Sequence, residues 1–201
     1  MNPTWWTIPL IALSVLLAAN GPPKVVFLGD SLTEGLGVAQ EQAFPQVVAD
    51  ILKARGKPIE AVNAGISGST SASAPARMRW VLKGNPALVV LALGANDGLR
   101  GIAPAVTARN LAEAINLARE KNVRVLLVGM KAPPNYGPDY THAFEQTFSA
   151  LAARFQLPLL PFLLEGVAGR PELNQADGIH PNPAGHRIVA ALVAPHVEKL
   201  L

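Results

Sequence analysis

The chain has 201 residues, half of them apolar and 15% charged, with a net charge of +3 and no cysteine. That is enough chain for one domain with its own core, and too apolar a composition for disorder. Without cysteine it has no disulfide, thiol nucleophile or thiolate metal site, and its scattered Lys and Arg residues give no support to nucleic-acid binding.

The first segment stands apart. No charged side chain occurs from Met1 to Pro23, and Trp5 to Ala19 is an almost unbroken apolar stretch. Its length of roughly 15 residues suits a secretory signal core better than a spanning helix, which needs about 20. Residues 1–21 are therefore expected to act as an export signal, giving a periplasmic or secreted product. Against this, the start lacks Lys or Arg, and Leu17 occupies a position usually taken by a small residue. An uncleaved membrane anchor is the alternative, and a buried core helix is a third. Asn20-Gly21-Pro22-Pro23 reads as a linker into a folded domain at 24–201.

From there short apolar runs alternate with helical patterns. Val25 to Leu28 is a strand candidate ended by Gly29, and Phe44, Val47, Val48, Ile51 and Leu52 then share one helical face. Ile59 to Val62 is a weaker strand. Leu88 to Leu93 is a strong one, followed by a helical stripe at Leu111, Ala114, Ile115 and Ala118. Val123 to Val128 precedes a stripe of Phe144, Phe148, Leu151 and Phe155. Leu157 to Leu163 carries Pro158 and Pro161, which shorten it or place it at an edge. Ile188, Leu192 and Val197 belong to a last helix starting near Pro183. Strand runs without polar alternation are buried on both faces. The order therefore predicts an α/β fold, a three-layer α/β/α sandwich on a five-stranded parallel sheet of the flavodoxin-like type.

In such sheets ligands bind beyond the carboxyl ends of the strands. Three polar clusters follow strand candidates: Gly29-Asp30-Ser31, Asn63-Ala64-Gly65 and Gly94-Ala95-Asn96-Asp97. Ser31, at a strand-to-helix turn, has an exposed hydroxyl for attack and a backbone N–H near a helix N-terminus for a developing oxyanion. Taken alone it reads equally well as a helix N-cap. Asp177 and His180, three residues apart around Gly178, can fold into one turn with the carboxylate on one ring nitrogen and the other facing Ser31. Alone, that pair also reads as a surface loop. Gly65 and Asn96 add a backbone and a side-chain donor at the same rim, so Ser31, Gly65 and Asn96 together make a three-donor oxyanion hole. Asp30 and Asp97 are expected to hold their turns. His142, His186 and His196 fall on helices, with His186 the one nearest the site.

These four clusters, in this order, resemble the blocks of the SGNH (GDSL) hydrolase family. The longer strings Gly94 to Gly101, Ala132 to Gly137 and Asn174 to Pro181 are similar to its arylesterase, thioesterase I and lysophospholipase L1 branch. The resemblance runs from about Lys24 to the C-terminus. It implies a serine hydrolase with catalytic residues Ser31, Asp177 and His180 and oxyanion donors Ser31, Gly65 and Asn96. It also implies an acyl-serine intermediate and no cofactor or metal. The expected substrates are small aryl and short-to-medium acyl esters, with acyl thioesters and lysophospholipids as further candidates. Leu32, Leu36, Ile66, Leu99 and Tyr136 are candidate substrate contacts, and the segment Met130 to Tyr140 should lie at the same face. The chain is expected to be a monomer that meets a membrane only through its N-terminal segment. A carbohydrate-ester deacetylase of the same family and a non-catalytic ligand-binding domain are the competing readings.

Overall fold

The computed structural model describes residues 21–201, so the expected export segment lies almost wholly outside the described residues. Five strands form one parallel sheet: β1 (Lys24–Gly29), β2 (Glu60–Gly65), β3 (Leu88–Ala92), β4 (Arg124–Val128) and β5 (Leu159–Leu160). Their order is β2-β1-β3-β4-β5. The central strands β1 and β3 are buried along almost their whole length, as their unbroken apolar sequence requires. The edges are the two weaker candidates. β2 is only half-buried, and β5 shrinks to two residues between prolines that cannot donate to a ladder.

Among the described residues seven α-helices flank the sheet: α1 (Ser31–Glu34), α2 (Phe44–Ala54), α3 (Ala74–Val81), α4 (Ala95–Leu99), α5 (Pro104–Glu120), α6 (Pro138–Phe155) and α7 (Pro183–Leu200). The strand order fixes their sides. The β1-to-β2 crossover runs one way along the sheet, and every later crossover runs the other. Right-handed connections therefore place α2 on one face and α3, α5 and α6 on the opposite face. The helix contacts agree: α2 packs on α7, α3 on α5, and α5 on α6. Phe27 meets Phe44 edge-on at 5.8 Å beneath α2, and Phe144 meets Phe148 at 5.6 Å on α6.

Two departures from the periodic reading have local causes. Ile188 is 36% exposed, and the inward face of α7 is instead Val189, Ala190, Val193, Ala194 and Val197. Valines and alanines carry that face, Val197 among them, so the bulkier Ile188 misleads about its direction. In α3, Arg77, Arg79 and the exposed Trp80 interrupt a short inward face of Ala74, Met78 and Val81, which leaves no readable stripe.

The register matters most for the site. Gly29 of β1 pairs with Gly65 of β2 and Ala92 of β3, so these three strands end level with one another. Every segment leaving that edge starts from the same end of the sheet.

Candidate active site

Ser31 is the first residue of α1, straight after β1 and Asp30. Asp30 caps the helix, its Oδ1 accepting the Leu32 N–H at 3.0 Å. The first amides of a helix have no intrahelical acceptor, so the Ser31 N–H is directed outward at the positive end of the turn. The serine is 8% exposed, shielded without being sealed.

The histidine arrives from the opposite end of the chain. His180 Nε2 lies 2.8 Å from Ser31 Oγ, across 149 residues of sequence. Its Nδ1 lies 2.6 Å from Asp177 Oδ2. Asp177 Oδ1 meanwhile accepts the backbone N–H groups of Ile179 and His180, both at 2.9 Å. These bonds to His180 and Ile179 hold the Asp177 carboxyl below its ordinary range, at about 2. It is thus an anion across the neutral range, suited to fixing the tautomer that donates from Nδ1 and leaves Nε2 to accept. Gly178, at φ +69°, makes the tight turn between the two partners.

Gln175 fastens this turn to the nucleophile segment, a role the sequence did not suggest. Its side-chain amide donates to Leu36 O at 2.6 Å and to Pro181 O at 3.0 Å, while its backbone N–H donates to His180 O at 2.8 Å. Arg77 of α3 works beneath the same floor. Its guanidinium donates to Gly29 O at 2.8 Å and also to Ala64 O, clamping the ends of β1 and β2 together.

The donor set differs from expectation at one position. Gly65 closes β2 rather than following it, and its N–H donates to Asn63 Oδ1 at 2.9 Å. A Cβ there would sit 2.1 Å from Glu34 N, so the missing side chain makes room for α1, not for a substrate oxygen. The glycine open to solvent is Gly68, at φ +75°, whose N–H has no acceptor among the described residues. The signal was present in Gly65-Ile66-Ser67-Gly68-Ser69, where the second glycine, not the first, carries the unused amide. Asn96 lies beside it in α4. Its Nδ2 donates one hydrogen to Ser69 O at 3.0 Å, leaving the other available.

Beside Leu32, Ala95 and Ile179, the chain neighbours of Ser31, Asn96 and His180, opens a largely apolar cavity of about 420 Å³. Of the five expected contacts, Leu32 and Leu99 line it, whereas Leu36, Ile66 and Tyr136 do not. Leu36 and Ile66 are exposed at 44% and 54%. Tyr136 instead bonds Leu99 O through its hydroxyl at 2.7 Å, bracing the cavity from outside. Further wall comes from the segment after β4 that includes Met130 and Ala132, from Phe162 and Leu164 after β5, and from Ile179 beside the histidine. Of the other histidines, His186 is buried, accepting the Phe44 N–H on Nδ1 at 3.3 Å, and burial lowers its pKa to about 4. It is a core group. His142 contacts Gln146 on the outer side of α6.

The arrangement can raise a hydroxyl to a nucleophile, move its proton to an imidazole, and receive an oxyanion. Comparison with known proteins places the chain in a family. The model of the GDSL-like Lipase/Acylhydrolase family matches residues 27–188. Esterase TesA of Pseudomonas aeruginosa is 42% identical over 95% of this chain and 96% of its own. Thioesterase 1/protease 1/lysophospholipase L1 of Escherichia coli K12 is 35% identical over 98% of this chain and 94% of its own. The crystal structure of TesA superposes with a TM-score of 0.85 at 43% identity, covering 89% of this chain and 99% of that one.

Proposed function

The chain belongs to the GDSL-like lipase/acylhydrolase family and is a serine esterase acting on small-molecule esters; we propose that Ser31, His180 and Asp177 carry its reaction. Ser31 Oγ attacks the acyl carbonyl as His180 Nε2 takes the proton, and Asp177 stabilises the imidazolium from the other side. The tetrahedral oxyanion is met by the N–H of Ser31, the N–H of Gly68 and the free amide hydrogen of Asn96. His180 then returns its proton to the leaving alcohol. Water enters, gives a proton to His180 and attacks the acyl-serine, releasing the acid and restoring the hydroxyl.

The observation that carries this reading is the 2.8 Å contact between Ser31 Oγ and His180 Nε2, made by groups from the two ends of the chain. Its test is the pair Ser31→Ala and His180→Ala, assayed with p-nitrophenyl esters. Each should lower kcat by about 10⁴-fold or more with melting unchanged. A fluorophosphonate probe should label wild type and not Ser31→Ala. Turnover near wild type in Ser31→Ala would end the mechanism.

The acyl chain, in the same reading, enters the cavity walled by Leu32, Leu99, Met130 and Phe162. At about 420 Å³ it falls toward the lower end of ligand sites, which supports short-to-medium acyl groups, aryl esters included. Thioesters and lysophospholipids are candidate substrates of the same chemistry, and a screen over acyl length on oxygen and sulfur esters ranks them. The serine, histidine and aspartate all come from one chain, which favours a monomer, checked by the sedimenting mass. Among the described residues no helix is long and apolar enough to cross a membrane. Export through residues 1–21 rests on their uncharged apolar sequence. Sequencing the N-terminus of the product in each cell fraction tests it against an uncleaved anchor.

A further inference from the structure

Asp97 lies next to Asn96 in α4, yet it faces the other way and is fully buried. Its Oδ2 accepts the Ser71 N–H at 2.8 Å, and its Oδ1 accepts the Ser71 hydroxyl and the Thr107 hydroxyl, the latter at 3.0 Å. Asn110 of α5 donates to Ser71 Oγ at 3.0 Å. Ser71 and Thr107 are themselves fully buried. Among the described residues no Lys or Arg pairs with this carboxylate. A buried carboxylate without a cation carries a desolvation cost that a well-packed apolar residue would avoid. Stability alone is therefore a poor account of it.

Its partners show what it organises. Ser71 ends the exposed loop that contains Gly68, and Asn96 holds Ser69 O of that loop. The two donors of the oxyanion site that lie outside α1 thus sit on separate segments. They are joined on the solvent side by the Asn96 amide and on the buried side by Asp97. We propose that Asp97 is a positioning residue of the oxyanion hole, setting the distance between the Gly68 N–H and the Asn96 amide through Ser71. The inference rests on the oxyanion reading above and extends it by one layer.

In Asp97→Asn one carboxylate oxygen becomes an NH₂ group: in place of Oδ2 it meets the Ser71 N–H donor to donor, and in place of Oδ1 it forces the Ser71 and Thr107 hydroxyls to turn from donating to accepting. The loop should shift relative to α4. Steady-state kinetics per active site, titrated with the fluorophosphonate probe, should show kcat lowered about 10–100-fold and KM within about threefold. Asn96→Ala should cost about 10²–10³-fold in kcat. The double variant Asn96→Ala/Asp97→Asn should lie within about threefold of Asn96→Ala alone, because the second change acts through a hole already broken. A purely structural Asp97 would lower melting and the titratable fraction while leaving kcat per site intact, and that result overturns the inference. So does full multiplication of the two losses. Should Asp97→Asn fail to fold, Ser71→Ala removes the hydroxyl link alone; about tenfold loss of kcat per site supports the inference, and unchanged kcat overturns it. Wild-type kcat in Asn96→Ala would remove the oxyanion reading itself, whereas loss there with intact turnover in Asp97→Asn and Ser71→Ala removes only this inference.

Discussion

Asp30 has one carboxylate oxygen capping α1 and the other buried without a partner among the described residues. Burial pushes its pKa up to about 6 from an ordinary 3.8, against the bond from Leu32 and the nearby His180 and Arg77. Between those values the folded protein binds more protons than the unfolded chain. Stability from this group therefore falls as pH rises from about 4 to about 6, and stays reduced above. Asn caps a helix as well as Asp and has no such ionisation. Asp30→Asn should melt higher than wild type at pH 7.5, with the advantage shrinking toward pH 4.5. His186 works in the opposite sense. Its pKa, lowered to about 4, makes the fold lose stability as pH drops from about 6.5 to 4. Both proteins carry His186, so its effect cancels in the difference between their melts. An equal difference at both pH values would show that the Asp30 carboxyl is not strained by burial. At this scale the meeting of Ser31, Asp177 and His180 was legible, because they are residue types that the proposed chemistry demands. Gln175 and Arg77 were not, since each acts by bonding backbone oxygens that sequence does not bring near.

The two glycines of the segment after β2 separate packing from conformation. Gly65 has a backbone conformation open to any residue, but a Cβ would strike backbone atoms of Glu34 and Thr33 in α1. Gly68 has open space around it, and its φ of +75° is what disfavours a side chain. Gly65→Ala should therefore displace α1 and cost about 2–3 kcal/mol of stability. It should lower kcat too, because α1 carries Ser31. Gly68→Ala should cost only about 1–2 kcal/mol, the ordinary penalty for a left-handed alanine. Denaturant melts of the two variants check the ranking, and equal losses would contradict it. The sequence made both glycines visible without separating their tasks, because the collision partner of Gly65 lies some thirty positions earlier in the chain. Strands β1, β3 and β4 were readable for a simpler reason. They are buried on both faces, and burial alone writes an unbroken apolar run.

At the scale of the whole molecule, a parallel sheet was implied by alternating strands and helices, but the cavity beside the site was not. Its walls come from the segments after β1, β3, β4 and β5 and from the loop before α7, each contributing one to a few side chains. No single stretch carries a pattern for such a wall. That is why Leu36 and Ile66 could be named from their nearness to motifs and still point elsewhere, while Phe162 and Ile179 passed unnoticed. Ala132 offers a test of the assembled cavity, because it lies in the wall after β4 and takes no part in the Ser31–His180 contact. Replacing it with Phe should fill part of the space without altering Ser31 or His180. If acyl chains occupy the cavity, an eight-carbon acyl group loses contact for two or three methylenes, at about 0.8 kcal/mol each. An acetyl group loses almost nothing. Ala132→Phe should therefore lower kcat/KM for p-nitrophenyl octanoate by about 10–100-fold relative to p-nitrophenyl acetate. The ratio of the two esters, not either rate alone, is the measurement. A general disturbance of the site moves both together, and an unchanged ratio would place the acyl chain outside this cavity.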